Sequence, residues 1–115
     1  MAVNGIDANY YTVIDLGKMS EFYSRILGEP ETRAERWSEW TFADGSSFGL
    51  YKAGGKASGR SGSVMFAADD VEAMAQRARE AGAEVEDEVT DTPACRMMFA
   101  NDPEGNQFIL HKRKN

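Results

Sequence analysis

Side chains that could act as acids, bases or nucleophiles are few in this sequence. It contains one histidine, His111, and one cysteine, Cys95. Histidine can exchange a proton near neutral pH, but His111 has no recognisable partner and lies close to the C-terminus, which favours a structural role over general-base catalysis. Arg96 beside Cys95 would favour a thiolate, yet nothing else resembles a nucleophile site, so we expect an ordinary thiol. A single cysteine also excludes an internal disulfide and a cysteine-rich metal site.

Aromatic side chains offer a second kind of chemistry, which is stacking. Trp37 and Trp40 lie close together in the sequence, and Phe42 and Phe48 follow them. Packing in the core or in a dimer interface is the ordinary role of such residues. Stacking on a planar or cationic ligand is the alternative, and the sequence leaves both open.

Composition limits the classes of function. The 115 residues are 42% hydrophobic and 28% charged, which is typical of one soluble folded domain. The formal net charge of −6 opposes binding to nucleic acid, because the phosphate backbone is repelled. An acidic surface favours cationic ligands, although most acidic proteins are acidic only for solubility. The sequence shows no apolar leader and no long apolar run, so we expect a cytoplasmic protein without a membrane partner.

The elements that must position these side chains follow one order in the first half of the chain. Residues 10–14 have the aromatic and β-branched composition of a strand. Asp15 offers a helix cap, and the apolar stripe that follows at 3.6-residue spacing ends at Gly28. Three short strand-like stretches come next, separated by turns such as Asp44-Gly45: ETRAERW, EWTFAD and SFGLYK. The predicted order is β, α, β, β, β.

The second half repeats this order. SVMFA predicts a strand, Asp69 and Glu72 form a variant of the capping box before a helix that ends at Gly82, and three more strand-like stretches follow, AEVEDEV, CRMMFA and NQFILHK. Between the halves, the Gly- and Ser-rich residues 53–62 predict a flexible connector. We therefore predict one α+β domain over 1–115, with module one at about 6–52 and module two at 63–113.

The two halves can be aligned on one another, and this internal repeat is the main organisational feature of the sequence. We match FADGSSFGLYK with FANDPEGNQFILHK and allow a longer turn in the second copy. The alignment pairs Trp40 with Met97, Phe42 with Phe99, Phe48 with Phe108, Gly49 with Ile109, and Tyr51 with His111. We therefore expect the last strands of the two modules to be equivalent.

Two local motifs accompany the repeat. Asp15-Leu16, Phe22-Tyr23 and Leu27-Gly28 form a spaced DL…FY…LG pattern, and residues 102–106 read DPEGN before the last strand. With tandem βαβββ modules, this chain resembles the glyoxalase, bleomycin-resistance and extradiol-dioxygenase superfamily, also called the vicinal oxygen chelate fold. The resemblance covers nearly the whole chain. It implies a cupped mixed β-sheet with helices on the outside, and a homodimer.

The resemblance also implies where metal ligands would lie. Metal-using members have His, Glu or Gln in the first and last strands of each module, and the matching positions here are Ala8, Gly49, Ser63 and Ile109. These side chains do not suit a divalent ion, apart from a weak hydroxyl on Ser63, and a register shift of one residue helps no more. A site with two histidines is impossible within one chain, because the chain has only one. We predict no metal and no cofactor.

What remains is a cavity lined by one face of the strands. Because strand side chains alternate, this face should mix aromatic, hydroxyl, thioether and imidazole groups, which suits a small organic molecule. The predicted ligand-binding residues are Tyr10, Thr12, Trp40, Tyr51, Ser63, Met65 and His111. We predict no catalytic residue.

Several functions stay open, because one fold hosts many activities. The favoured one is a metal-independent binding protein, similar to the bleomycin-resistance branch, for an aromatic or cationic drug or metabolite. The alternative is a metal-dependent lyase, isomerase or dioxygenase, and metal-independent catalysis through Tyr10, Tyr51 or His111 is a third option. In the implied homodimer, the modules pair within one chain or are exchanged between two chains.

Overall fold

The computed structural model describes residues 4, 6–53 and 61–114. The predicted connector at 53–62 falls mostly on residues 54–60, which lie outside the described residues. Module one contains β1 (Asn9–Val13), α1 (Leu16–Leu27), β2 (Thr32–Arg33), β3 (Trp37–Thr41) and β4 (Ser47–Lys52). Module two contains β5 (Ser63–Ala67), α2 (Val71–Ala81), β6 (Glu84–Val85), β7 (Thr90–Asp91), β8 (Cys95–Asn101) and β9 (Gln107–Arg113).

Helix α1 begins and ends where the sequence predicts. The Asp15 side chain accepts a hydrogen bond from the Lys18 backbone N–H at 3.0 Å, and this satisfies a donor that the first turn leaves without a partner. At the other end, Gly28 adopts a φ of 91°, which costs a glycine little. The buried face of α1 consists of Leu16, Met19, Ser20, Phe22, Tyr23 and Ile26.

Helix α2 begins one residue later than the predicted capping box requires. Asp70, not Asp69, caps the helix and accepts from the Ala73 backbone N–H at 3.0 Å. Glu72 makes an ion pair with Arg96 of β8 instead of returning to the cap. The predicted Asp69–Glu72 box is therefore wrong, because Asp70 is the residue that keeps the extended backbone of a cap.

The strands form two mixed sheets, ordered β1-β4-β3-β2 and β5-β9-β8-β6, with β7 also paired to β8. In each sheet the first strand of the module runs parallel to the last one, and the other pairs are antiparallel. The α+β fold predicted from the sequence is confirmed. The strand bounds differ in both modules. Within AEVEDEV only Glu84–Val85 forms a strand, and β7 begins after this stretch. Within ETRAERW, β2 covers only Thr32–Arg33.

The turns before the last strands are of equal length in the two modules. In both modules, the first turn residue donates a backbone hydrogen bond to the last turn residue. The Phe42 N–H donates to the Ser46 carbonyl at 2.9 Å, and the Asp102 N–H donates to the Asn106 carbonyl at 2.8 Å. The structural equivalent of Phe42 is therefore Asp102, and that of Trp40 is Ala100. The predicted pairs Trp40–Met97 and Phe42–Phe99 are wrong, because they depended on a longer second turn.

The two modules share one core, formed on the faces of the sheets that carry the helices. The Phe48 ring of module one lies 5.0 Å from the Phe66 ring of module two, and Phe22 lies 6.3 Å from Phe108. The described chain measures 41 × 39 × 24 Å, and its short dimension fits one layer of sheet and one of helix, since packed layers are about 10 Å apart. The opposite face of each sheet, here called the cup face, carries no helix.

Candidate functional site

Two rows of side chains cross the cup face of module one. In β1, Tyr11 and Val13 are buried towards the helices, so Tyr10 and Thr12 point to the cup face. Strand pairing fixes their neighbours on β4 and β3. The first row is Tyr10, Gly49 and Glu39, and the second is Thr12, Tyr51 and Trp37.

The first row is built around the missing side chain of Gly49. The Tyr10 ring lies over Gly49, and a Cβ at this position would overlap three carbons of the ring. Its hydroxyl donates a hydrogen bond to Glu39 Oε1 at 2.5 Å. Partial burial, followed by the hydrogen bond to Glu39 and the charge of that carboxylate, raises the pKa of Tyr10 to about 12. Tyr10 is therefore a neutral donor at physiological pH, and it holds the carboxylate from across the sheet.

The second row is an open aromatic surface. Trp37 and Tyr51 are directly opposite on β3 and β4, and 42% and 44% of their surfaces are exposed. Arg36, in the turn before β3, places its guanidinium carbon 6.0 Å from the centre of the Tyr51 ring. A pair of exposed rings with a cation over one of them can stack on a planar molecule.

The cup face of module two is more apolar. Met65 lies in one row with Ile109 and Phe99, and Ala67 lies in the next with His111 and Met97. Met65 is 49% exposed, and Ile109 is buried. Ser63, Gln107 and Asn101 form a polar row at the end of the sheet. The flexible thioether side chains of methionine adapt to rings of varied shape.

Six of the seven predicted ligand-binding residues lie on the cup face, namely Tyr10, Thr12, Tyr51, Ser63, Met65 and His111. Trp40 does not. It is 2% exposed, points into the shared core, and donates from Nε1 to the Gly28 carbonyl at 2.7 Å. Trp40 pairs with Phe48, and both belong to the face that the helices cover, so the prediction for Trp40 is wrong. Whether the other six bind a ligand stays a prediction.

The cup-face residues that sequence reasoning missed include Glu39, Met97 and Phe99. Their signal was present in the sequence. Alternation along β3 places Glu39 on the same face as Trp37, and an equal turn length in both modules makes Phe99 the equivalent of Glu39. The longer turn that we assumed for module two hid this equivalence.

The residues at the family's metal-ligand positions do not fit a metal ion. Gly49 lies beneath the Tyr10 ring, and Ile109 is a buried alkyl side chain. Ala8 and Ser63 add at most one hydroxyl oxygen, which is a poor ligand for iron, zinc or nickel. Within residues 6–53 and 61–114, no cluster of three or more His, Cys, Asp or Glu side chains is arranged to hold a metal.

The DPEGN turn connects the modules and does not line the cup face. Asp102 is buried, and its Oδ2 accepts from the Tyr23 hydroxyl of α1 at 2.7 Å. Its Oδ1 accepts from the backbone N–H groups of Glu104 and Asn106, each at 2.9 Å. The Glu104 carboxylate in turn accepts from the backbone N–H groups of residues 14 and 15. The FY and DPEGN motifs are thus one polar connection.

His111 and Cys95 have no catalytic arrangement among the described residues. His111 is half-buried on the cup face next to Met97 and Ala67. The Cys95 sulfur lies 3.5 Å from the Thr92 hydroxyl. Arg96 lies on the opposite face of β8 and pairs with Glu72 and Asp91, so its charge is directed away from the thiol.

Comparison with known proteins agrees with this architecture. A sequence model described as the Glyoxalase/Bleomycin resistance protein/Dioxygenase superfamily matches residues 5–110. The chain belongs to this superfamily. The cup face is the part of the fold where the metal-using members have their metal ligands. In this member, those positions carry no ligand side chains.

Solved structures are similar over almost the whole chain. A glyoxalase/bleomycin resistance protein from Albidiferax ferrireducens T118 has a TM-score of 0.82 and 19% identity, and the match covers 94% of this chain and 98% of that one. TnmS3, an antibiotic binding protein from Streptomyces sp. CB03234, has a TM-score of 0.75 and 25% identity, with 99% of each chain covered. A comparison with curated protein sequences gave no match. In the described part of this chain, neither helix is long and apolar enough to cross a membrane.

Proposed function

We propose that this superfamily member binds a small aromatic or cationic organic molecule on its cup face, without a metal ion. The observation that carries the proposal is the row formed by Tyr10, Gly49 and Glu39. A family ligand position is held by glycine, and the Tyr10 ring fills the space above it. This arrangement supports binding through an aromatic surface and one carboxylate instead of through a metal ion.

The rest of the cup face supports an organic guest. Trp37 and Tyr51 offer two neighbouring rings in module one, and Met65, Met97 and Phe99 offer thioether and aromatic groups in module two. Small-molecule sites are mostly apolar, with a few polar groups that fix orientation. Glu39 and Thr12 would be those polar groups in module one.

The proposal includes a second copy of the chain. Ligand sites bury about 70–90% of a drug-sized guest, whereas Trp37, Tyr51 and Met65 are each more than two-fifths exposed. One chain thus leaves the cup face open. Two copies that place these faces against each other would enclose a guest and cover the exposed rings, so we propose a homodimer. A cytoplasmic location also belongs to the proposal.

One structural relative supports the choice of guest. TnmS3 is an antibiotic binding protein, and it matches this chain over its full length at 25% identity. We infer that this chain has a related activity, the sequestration of a drug or metabolite. The relative does not identify the molecule, because aromatic stacking tolerates many planar compounds.

Tryptophan fluorescence tests the proposal directly. Trp37 is exposed on the cup face and Trp40 is buried in the core, so a guest should change the emission of Trp37 alone. We expect quenching by one or more members of a panel of bleomycin and other planar cationic compounds, in buffer that contains a chelator. The Trp37→Phe variant should lose the response. No quenching across the panel would refute the proposal.

The enzyme alternative makes a different prediction. A metal-dependent lyase, isomerase or dioxygenase needs a divalent ion held by side chains. Elemental analysis after growth in supplemented medium, together with melting in the presence of nickel, zinc or iron, would reveal such an ion. Stoichiometric metal and a raised melting temperature would favour this alternative. We expect neither.

A further inference from the structure

The Tyr10–Glu39 pair orients a carboxylate on the cup face, which stacking on an aromatic surface alone does not require. Gly49 separates the two residues in the row, and its missing side chain lets the Tyr10 hydroxyl reach Glu39 Oε1. The carboxylate is half-buried, and among the described residues only its Oε1 accepts a hydrogen bond. Tyr10 thus restrains one oxygen and leaves the other without a donor among these residues.

Glu39 has no positive partner among the residues that the structure describes. The ion pairs in this part of the chain involve other carboxylates, those of residues 21, 29, 72 and 91. Arg36, which is near in sequence, lies over the Tyr51 ring. If a second copy covers this face, the carboxylate loses water, and burying its charge without a cation beside it is costly.

A guest with a positively charged nitrogen would offset the cost of burying the Glu39 carboxylate. Glu39 and Trp37 are two residues apart on the same face of β3, which separates them by about 6.6 Å along the strand. A planar ring on Trp37 can therefore carry a nitrogen that reaches the carboxylate. Module two has Phe99 at the equivalent of Glu39, so the acidic group is specific to module one.

We propose that Glu39 selects guests that carry a cationic nitrogen, and that Tyr10 is the positioning residue for its carboxylate. The proposal rests on the binding function above and names the chemical class of the guest and the residue that recognises it. A positive charge within about 4 Å of a carboxylate near a protein surface is held by ionic attraction, which strengthens binding by about tenfold or more. Planar cations should therefore bind with an affinity higher than that of neutral molecules of the same shape by at least that factor.

The test compares N-methylacridinium, a permanent cation, with acridine, which is neutral in mildly alkaline buffer. Affinities are measured for the wild type and for Glu39→Gln, which keeps the shape of the side chain and removes its charge. Glu35→Gln is the matched control, since it removes one exposed negative charge four residues away. We expect the wild type and the control to prefer the cation by about tenfold through ionic attraction, and Glu39→Gln to bind both probes equally.

Tyr10→Phe separates positioning from packing. This variant keeps the ring over Gly49 and loses the hydrogen bond to Glu39, so it should bind acridine like the wild type and show a reduced preference for N-methylacridinium. A preference for the cation that persists in Glu39→Gln overturns the inference and leaves the proposed binding function intact. Failure of the wild type to bind either probe also overturns it, and the compound panel then decides the binding function separately.

Discussion

At the scale of single residues, Gly49 has the largest influence on the chemistry of the site. A side chain at this position in metal-using relatives would point into the cup, whereas here its absence lets Tyr10 cross from β1 to Glu39 on β3. Position 49 and position 10 are thus coupled, because a side chain at 49 displaces the ring and breaks its hydrogen bond.

This coupling gives a stability prediction. Gly49→Ala should lower the free energy of unfolding by about 1 kcal/mol more in the wild type than in a Tyr10→Ala background, because only the wild type must move the ring. Urea denaturation of the four proteins in this cycle measures the difference. Equal effects in both backgrounds would mean that the ring does not lie over Gly49.

At the scale of elements, the connection between α1 and the turn before β9 holds the modules together. Tyr23 from the helix donates to Asp102, and the Asp102 carboxylate also orders the turn itself. This contact explains why FY and DPEGN occur in one sequence. Both motifs were identified in the sequence, but their direct contact was not predicted, because sequence spacing does not reveal which side chains meet across modules.

Removing one hydroxyl should weaken this connection. Tyr23→Phe keeps the ring in the core and leaves Asp102 with one donor fewer, so we expect a loss of about 1.5 kcal/mol in the free energy of unfolding. Tyr51→Phe, whose ring is exposed, is the control and should change stability little. Urea denaturation at neutral pH measures both.

Tyr23 also predicts how the free energy of unfolding changes at alkaline pH. Burial, followed by the charge and hydrogen bond of Asp102, raises the pKa of Tyr23 far above its ordinary value. Burial likewise raises the pKa of Tyr11 to about 12. Both contributions are complete below about pH 10, where tyrosine is neutral in the unfolded chain, and they are lost as pH rises towards the folded pKa values.

The free energy of unfolding should therefore fall above about pH 10. Each tyrosine that ionises only in the unfolded chain adds a slope of up to roughly 1.4 kcal/mol per pH unit. Denaturation curves at several alkaline pH values should show a shallower fall for Tyr23→Phe than for Tyr51→Phe. Identical slopes would contradict the burial of the Tyr23 hydroxyl.

The limits of sequence reasoning are clearest at the level of elements. The order of strands and helices followed from hydrophobic spacing, and the ends of α1 from Asp15 and Gly28. The position of Trp40 did not follow, because the face on which it lies depends on the register of β3. Trp37 and Trp40 are three residues apart on this strand, so their side chains point to opposite faces. The longer turn assumed for module two separately concealed the equivalence of Glu39 and Phe99.

At the scale of the whole molecule, the cup face is open in one chain, and the proposed dimer would close it. Its exposed side chains include Trp37, Tyr51 and Met65, and a second copy would cover them. A charged side chain at one of these positions should oppose that contact. We expect Met65→Glu to shift the protein from dimer to monomer in sedimentation experiments.

A matched variant distinguishes the contact from a general effect of charge. Gln76→Glu adds the same charge on the exposed surface of α2 and should leave the dimer intact. If Met65→Glu and the wild type have the same oligomeric state, the cup face of module two does not lie in the interface. Circular dichroism of both variants verifies that they fold.

Native mass spectrometry of the protein, incubated with a chelator and then with a planar cation that quenches Trp37, tests the central claim most directly. It reports subunit number, bound guest and bound metal in one spectrum. We predict a dimer that carries the guest, up to one per cup, and no metal. A protein that takes up the guest only after nickel, zinc or iron is restored, and carries that metal in the same species, would contradict the account.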